Sequence, residues 1–291
     1  MSLDQLLTES RFLVILGRGG VGKTTVSATL AVKAANLGLR TVVLTIDPAN
    51  RLADALGVDQ SMKSPTRVNL SSDDAQLYGL MMDRKDTCDE LVSRFSKNST
   101  VEEKILANPY YQHFSTSLAG GQEYMAIEKV RQLLASDDYD LIVLDTPPSI
   151  HAFDFLDAPN RLIEGLKRIP SSTASHPRSF LSRLKQRGGQ LVLDGLKRFT
   201  GGRFLVDLTT FLGLFRHVLS ALVDASKALQ TTLREPSTHF IFVDGLDRNA
   251  EERLQACRHE LEERHLNLAG LVYNRMKPQF SVGEIETFLT K

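Results

Sequence analysis

Cysteine is scarce in this sequence, and its two cysteines are badly placed for common cysteine chemistry. The chain of 291 residues contains only Cys88 and Cys257, which lie far apart and form no C-x-x-C pair. This spacing gives neither a disulfide framework nor a cysteine metal site, and it is typical of proteins in a reducing compartment. We therefore expect a cytoplasmic protein.

An excess of one charge and long apolar runs are also missing. The 35 Lys and Arg residues balance the 35 Asp and Glu residues, so the composition does not favour a nucleic-acid partner. The N-terminus carries Asp4 and Glu9 where a signal peptide would have a basic start and a long apolar run. No apolar run reaches membrane-spanning length, so we expect any association with a membrane to be peripheral.

Short apolar runs separated by helical stretches predict the fold. Strands that are apolar on both faces and alternate with helices are typical of parallel sheets covered on both sides. The sequence therefore predicts an α/β fold with a doubly wound, mostly parallel sheet, in which ligands bind at the carboxyl ends of the strands. The predicted strands are Phe12–Leu16, Thr41–Ile46, Gln76–Met82, Leu141–Leu144, His239–Val243 and Leu268–Tyr273.

A phosphate-binding pattern, RFLVILGRGGVGKTT, lies at Arg11–Thr25. It follows a predicted strand and opens a predicted helix, as the motif G-x-x-x-x-G-K-[ST] requires. Loop N–H groups would bind phosphate oxygens, Lys23 would add positive charge, and the Thr24 hydroxyl would bind Mg²⁺. We therefore expect ATP and Mg²⁺ as cofactors. The predicted nucleotide contacts in the loop are Gly17, Arg18, Gly19, Gly20, Val21, Gly22, Lys23, Thr24 and Thr25.

Two acidic residues end predicted strands near this loop. Asp145 closes one apolar strand, and we predict that it holds Mg²⁺ together with Thr24. Asp47 follows another strand, where a carboxylate would orient the water that attacks the γ-phosphate. Plainer interpretations stay open, since Asp145 could cap a helix and Asp47 could form a turn before Pro48.

Two stretches break the alternation of strands and helices. Residues 86–134 have a mostly helical pattern, and residues 152–236 show no convincing central strand. We predict one P-loop ATPase domain over 1–291, with helical segments at 86–134 and a helical insertion at 152–236. Within the insertion, 161–203 holds ten basic residues against two acidic ones, and an apolar stripe follows it. The apolar stripe consists of Phe204, Leu208, Phe211, Leu212, Phe215, Leu219, Leu222 and Leu229.

The phosphate loop and the segments around both aspartates resemble one family. The loop is similar to the variant motif K-G-G-x-G-K-[ST] of the MinD/ParA-like group of P-loop ATPases. The segments TIDPANRLADALG and LDTPPSIHAFDFLDAP are most similar to the two switches of the arsenite-pump (ArsA) and tail-anchored-protein-targeting ATPases. The resemblance runs from about Phe12 to Pro278. The matching switch positions are Asp47, Pro48, Ala49, Leu52, Asp54, Leu56, Asp145, Thr146, Pro148 and His151.

This resemblance implies a homodimeric, Mg-ATP-dependent ATPase that uses hydrolysis as a conformational switch. It implies that Asp47 orients the attacking water, that Lys23 and the cation at position 18 act on the phosphates, and that Asn274 contacts adenine. In the family, a lysine at the position of Arg18 reaches phosphates in or across the partner subunit. In the targeting ATPases, a helical region after the second switch binds a client's transmembrane helix. The resemblance therefore makes residues 152–236 a candidate site for a hydrophobic or membrane-protein client.

The sequence departs from the family pattern in ways that affect its function. Arg18 stands where the family has its signature lysine, and Asn50 replaces a histidine of the first switch. Arginine keeps the positive charge and adds a planar fork for phosphate oxygens, although a solvated loop arginine is the alternative. Two scattered cysteines cannot form the thiolate cluster that arsenite requires, so we do not expect arsenite binding within a subunit.

Other functions stay open on the sequence alone. A nucleotide-binding sensor with little hydrolysis would fit the departures at Arg18 and Asn50. A ParA/MinD-like positioning ATPase would use the basic residues of 161–203 on DNA phosphates or on an anionic membrane surface. The plainer interpretation of the insertion is that its apolar stripe is core and that its charged stretch is solvated.

Overall fold

The computed structural model describes residues 1–47, 49–58, 62–117, 121–147 and 203–275. The described helices are α1 (Leu3–Glu9), α2 (Lys23–Asn36), α3 (Arg51–Leu56), α4 (Arg84–Phe95), α5 (Ser99–Leu106), α6 (Pro109–Ser117), α7 (Gly121–Ser136), α8 (Arg203–Thr232) and α9 (Ala250–Glu263). The described strands are β1 (Phe12–Leu16), β2 (Thr41–Thr45), β3 (Thr66–Val68), β4 (Leu77–Met81), β5 (Leu141–Asp145), β6 (Thr238–Gly245) and β7 (Leu268–Asn274).

The described strands form one sheet in the order β3-β4-β2-β5-β1-β6-β7. All neighbouring pairs run parallel except β3 and β4. Every residue of β1, β2 and β5 is buried, as expected for central strands covered on both faces. The prediction of a doubly wound, mostly parallel α/β sheet is therefore confirmed. Strand β3 was not predicted, because a three-residue edge strand has no long apolar run.

Helix α2 connects β1 to β2 and carries the end of the phosphate loop motif, Lys23 and Thr24. Its buried face consists largely of alanines, including Ala28, Ala31 and Ala34, which belong to the same core as Leu13 and Ile15 of β1. Small side chains allow the helix to lie close to the sheet. The helix ends at Asn36, two residues before Gly38, whose φ of +89° lies in the left-handed region.

The described residues belong to two compact units. The sheet unit contains those within 1–82, 132–147 and 231–275, and the helical unit contains those within 83–131 and 203–230. The predicted single domain with a helical insertion stays a prediction. Residues 148–202, with most of the predicted insertion and its basic segment, lie outside the described residues, as does Pro48.

The part of the apolar stripe that the structure describes in the helical unit is largely core. Phe211 stacks on Phe215 with ring centroids 5.1 Å apart, and Tyr111 lies 6.0 Å from Phe215. Leu222 and Leu229 on the same helix are also buried. These contacts agree with the plainer interpretation of the stripe. Within the described ranges, none of the helices is both long enough and apolar enough to cross a bilayer.

Candidate nucleotide-binding site

The phosphate loop runs from the end of β1 to the start of α2 and depends on glycine backbone geometry. Gly17, Gly20 and Gly22 have φ angles of +147°, +79° and +91°, in a region that side chains disfavour. Gly22 is the N-cap of α2 and makes no side-chain cap hydrogen bond, so the first N–H groups of this helix have no partner within the helix. This arrangement offers unpaired N–H donors and the positive end of a helix dipole to an anion.

A cavity of about 820 Å³ opens beside the loop, a size that suits a nucleotide. The lining brings the loop together with both predicted acids and with the start of helix α3. Arg18 does not line it. The lining residues are Gly19, Gly20, Gly22, Lys23, Thr24, Thr25, Asp47, Arg51, Asp54, Ala55, Asp145, Thr146 and Arg275.

Asp145 lines this cavity, is buried, and accepts several hydrogen bonds. Its Oδ2 accepts hydrogen bonds from Thr24 Oγ1 at 2.7 Å and from Thr45 Oγ1 at 3.0 Å, and its Oδ1 accepts one from Ser27 Oγ at 3.3 Å. Burial raises the pKa of this carboxyl above its ordinary value, and the three hydroxyl groups and Lys23 only partly oppose that effect. The charged form of Asp145 is therefore unfavourable in the folded protein, although the Thr24 hydroxyl donates a hydrogen bond to it.

Lys23 starts helix α2 and is almost completely buried, with 6% of its surface exposed. Its Nζ donates to the backbone carbonyl of Arg18 at 3.1 Å, so the ammonium lies within the curve of the loop. Burial lowers its pKa, against the opposing influence of Asp145 and Asp47. A phosphate group bound in the loop would be a negatively charged partner for this ammonium and would offset the cost of its burial.

Asp47 lies at the carboxyl end of β2 with both carboxylate oxygens engaged. Oδ1 accepts from the Ala49 backbone N–H at 3.0 Å, and Oδ2 lies 3.2 Å from Nη1 of Arg51. The Asp47 side chain is 17% exposed, whereas that of Arg51 is 63% exposed. These contacts fix the direction of the carboxylate while leaving it accessible from the cavity.

Four of the predicted nucleotide contacts do not line the cavity: Gly17, Arg18, Val21 and Asn274. Arg18 points its guanidinium at two aspartates, Asp244 near the end of strand β6 and Asp247 just after it. Asn274 ends β7, and its amide donates to the Val21 carbonyl at 2.9 Å. Contact of Arg18 with phosphate and of Asn274 with adenine therefore stay predictions.

Two residues that bind Asp145, Ser27 and Thr45, were not predicted from the sequence. Ser27 lies one turn after Lys23 on α2, and Thr45 faces Asp145 in the register of β2 and β5. Thr146 donates to the Ile15 carbonyl at 2.6 Å and ties the end of β5 to β1. The hydroxyl type and strand-end position of Thr45 were a usable signal. For Ser27 the helical spacing from Lys23 would have served.

The donor set around the loop suits a magnesium nucleotide. Mg²⁺ prefers hard oxygen ligands and usually keeps several waters, so one hydroxyl and one carboxylate beside phosphate oxygens suffice. Thr24 and Asp145 provide that pair at 2.7 Å. No group of three or more His, Cys, Asp or Glu residues able to hold a metal occurs in the described ranges. Burial raises the pKa of Cys88 to about 11 and that of Cys257 to about 12, which keeps both as protonated thiols.

We expect Gly17→Ala to destabilise the protein more than Gly20→Ala. A Cβ on Gly17 would lie 2.1 Å from the backbone oxygen of Val243, whereas one on Gly20 would meet nothing within 4 Å. Both residues have positive φ, so the pair separates the clash from backbone strain. Thermal unfolding should show a loss of about 2–4 kcal/mol for Gly17→Ala and about 1 kcal/mol for Gly20→Ala. Equal losses would contradict this account of the loop.

Comparison with known proteins agrees with the site. The family model described as anion-transporting ATPase matches residues 10–234. The chain is 27% identical to the ATPase get3 of Aspergillus terreus over 267 residues, which cover 84% of this chain and 76% of that protein. It is 25% identical to the ATPase GET3A of Arabidopsis thaliana over 281 residues, covering 91% and 76% of the two chains.

The match with a third relative covers a smaller part of that relative's length. The ATPase ARSA1 of Chlamydomonas reinhardtii is 31% identical over 192 residues, which make up 57% of this chain but only 25% of the algal protein. The match of the family model over more than half of the chain confirms the resemblance found in the loop and the two switches. This chain therefore belongs to the anion-transporting ATPase family and is an ATPase.

Proposed function

We propose that this ATPase is a Mg-ATP-dependent homodimeric switch whose hydrolysis cycle drives a conformational change. The observation that carries the proposal is the grouping of Lys23, Thr24, Asp47 and Asp145 around one cavity beside the phosphate loop. Phosphoryl transfer depends mainly on positioning and on charge stabilisation, and these four side chains supply both. Predicted contacts that do not line the cavity, above all Arg18, would reach the phosphates when the two subunits close around ATP.

Each side chain of the site has a chemical role in this proposal. The loop N–H groups and the Lys23 ammonium would bind phosphate oxygens and stabilise the charge that develops on them. Thr24 and Asp145 would hold Mg²⁺, which when bound supplies further positive charge to the phosphates. The Asp47 carboxylate would accept a hydrogen bond from a water molecule and orient it for attack.

We further propose that the switch acts on a hydrophobic or membrane-protein client through the helical unit. Similarity to the get3 ATPases and the family's use of this region support that role. Because the described part of the apolar stripe is buried, client binding would require the helical unit to open. Such opening, driven by nucleotide, is the output expected of a conformational switch in the cytoplasm or at a membrane surface.

One experiment separates this proposal from a nucleotide sensor that barely hydrolyses. Phosphate release is measured with saturating ATP, with and without Mg²⁺, and molecular mass is measured by sedimentation under the same conditions. We expect Mg²⁺-dependent release and a doubling of mass with ATP when hydrolysis is blocked by Asp47→Asn. Tight ATP binding without release would instead establish the sensor. A mass that stays that of a single chain with ATP would overturn the homodimer.

We expect Arg18→Ala to lower turnover by about 10²-fold, because removal of an arginine that acts on transferring phosphates has effects of this order or larger. Arg18→Lys should retain most of the activity and the ATP-dependent change in mass. Glu252→Gln, an exposed charge change on α9, serves as the control. Wild-type turnover in Arg18→Ala would remove Arg18 from the proposed mechanism.

A further inference from the structure

Arg18 and Arg253 share two aspartates in a closed quartet beside the phosphate loop. Arg18 Nε lies 3.1 Å from Asp244 Oδ1, and its Nη2 lies 2.6 Å from Asp247 Oδ2. Arg253 Nε lies 2.6 Å from Asp244 Oδ2, and its Nη2 lies 2.8 Å from Asp247 Oδ1. Each arginine thus contacts both carboxylates, and the two arginines use different oxygens of each aspartate. The quartet balances two positive charges with two negative ones.

The four members differ in burial, and that difference sets how each can move. Asp244 at the end of β6 is fully buried, and Arg253 on α9 is 26% exposed. Arg18 and Asp247 are about half exposed, at 48% and 44%. A fully buried carboxylate without a charged partner is strongly destabilising. Asp244 therefore needs at least one arginine at all times, whereas Arg18 and Asp247 can separate into water.

Arg253 makes the release of Arg18 feasible. If Arg18 leaves, Arg253 still donates to Asp244 and Asp247, so neither carboxylate loses all charged partners. The hydrogen bond from Arg253 is the largest cause of the lowered pKa of Asp247. The contacts that Arg18 gives up are those of a half-exposed side chain, which are individually weak. The three remaining members would thus stay paired after Arg18 leaves.

We infer that Asp244 and Asp247 are positioning residues that hold Arg18 at the end of β6 until closure, while Arg253 allows its release to the phosphates. This inference rests on the proposed role of Arg18 in the closed state. It adds a residue pair outside the nucleotide cavity that sets how readily the loop cation becomes available. Removing the charge of Asp247 or that of Arg253 should therefore change turnover, and the two changes should have opposite signs.

The test compares Asp247→Asn with Arg253→Gln in the full chain. Asp247→Asn removes one of the two carboxylates that hold Arg18, so turnover at subsaturating ATP should rise about two- to fivefold. Arg253→Gln leaves Arg18 as the charged partner of buried Asp244, so turnover should fall roughly tenfold. Asp247→Glu should restore the wild-type rate. Arg253→Lys, which retains a positive charge, should lie between Arg253→Gln and wild type.

Controls separate this inference from a merely structural role and from the proposed function. A structural role would lower turnover in both variants together with their melting temperatures, which would overturn the inference. The rise in Asp247→Asn should vanish when Arg18→Ala is added, and its persistence would also overturn the inference. If Arg18→Ala impairs turnover but Asp247→Asn and Arg253→Gln change nothing, the role of Arg18 stands and the positioning role fails. Wild-type turnover in Arg18→Ala would instead overturn the proposed role of Arg18 itself.

Discussion

Replacing Asp47 by asparagine should lower kcat for ATP hydrolysis by about 10²–10⁴-fold, the range that a positioned acid–base group contributes. In the wild type, the Ala49 N–H donates to Asp47 Oδ1 at 3.0 Å. Asparagine is nearly the same size, and its carbonyl oxygen can still accept this hydrogen bond. The variant loses the negative charge that would attract and orient water, and it loses the ion pair with Arg51. The local backbone should therefore survive while the chemical step fails.

ATP affinity should survive the same substitution. The loop glycines, Lys23, Thr24 and Asp145 are unchanged, and removal of a carboxylate from a cavity that binds a polyanion reduces repulsion. We expect the Kd for ATP to stay within about threefold of wild type or to become lower. Single-turnover phosphate release and equilibrium binding of a fluorescent ATP analogue measure the two quantities separately. Asp74→Asn, an exposed carboxylate of the same unit outside the cavity, is the matched control.

Two results would contradict this role for Asp47. Turnover within about threefold of wild type would show that another group orients the water. Loss of ATP binding together with turnover would show that Asp47 acts mainly on the structure of the site. Asp47→Glu adds a useful third variant, since it keeps the charge but displaces it. Partial activity there would favour a positioned carboxylate over a general electrostatic effect.

The loop residues and the two aspartates of the cavity could be predicted from the sequence because each follows a local rule. A glycine-rich loop after an apolar strand predicts the phosphate site, and acids at the ends of neighbouring parallel strands must lie at the same sheet edge. The register confirms this logic, since Asp145 pairs with Ile15 on β1 and with Thr45 on β2. The six strands other than β3 were also predicted, because each lies in an apolar run of the sequence.

The surroundings of Arg18 could not be predicted in this way. Asp244 lies 226 residues away from Arg18 along the chain and reaches it only because β6 is the neighbour of β1 in the sheet. Strand order is not written in hydrophobic periodicity. Asp244 and Asp247 also look like ordinary loop acids in the sequence, and Arg253 like a solvated helix residue. Burial of Asp244 and the shared oxygens distinguish them, and both are properties of the packed structure.

Replacing Asp145 by asparagine should separate stability from activity. Thr24 and Asp145 would hold Mg²⁺ in the proposed site, and loss of the carboxylate should lower Mg²⁺-dependent hydrolysis by about 10²-fold or more. The nucleotide-free protein should nevertheless become more stable. Burial makes the charged carboxyl unfavourable in the folded protein, despite hydrogen bonds from Thr24, Thr45 and Ser27. A neutral side chain of the same size removes that charge.

The pH dependence gives this prediction its sign. The pKa of Asp145 is raised in the folded protein above its ordinary value of 3.8, so the folded state binds this proton more tightly than the unfolded state does. The cost of the charge is therefore fully present only above the raised pKa. It decreases as pH falls through the raised pKa and disappears below 3.8. The stability advantage of Asp145→Asn should shrink over the same range.

Thermal unfolding of wild type and Asp145→Asn without nucleotide measures this difference. At pH 7 we expect the variant to melt higher by a few degrees, on the order of the shift that 1 kcal/mol produces in a chain of this size. The difference between the two melting temperatures should decrease as the pH is lowered from 7 towards 3.8. Addition of Mg²⁺ and ATP should reverse the order, because only the wild type gains full stabilisation from binding. A variant that melts lower at pH 7 without nucleotide would mean that the Asp145 charge stabilises the fold, contrary to its buried position.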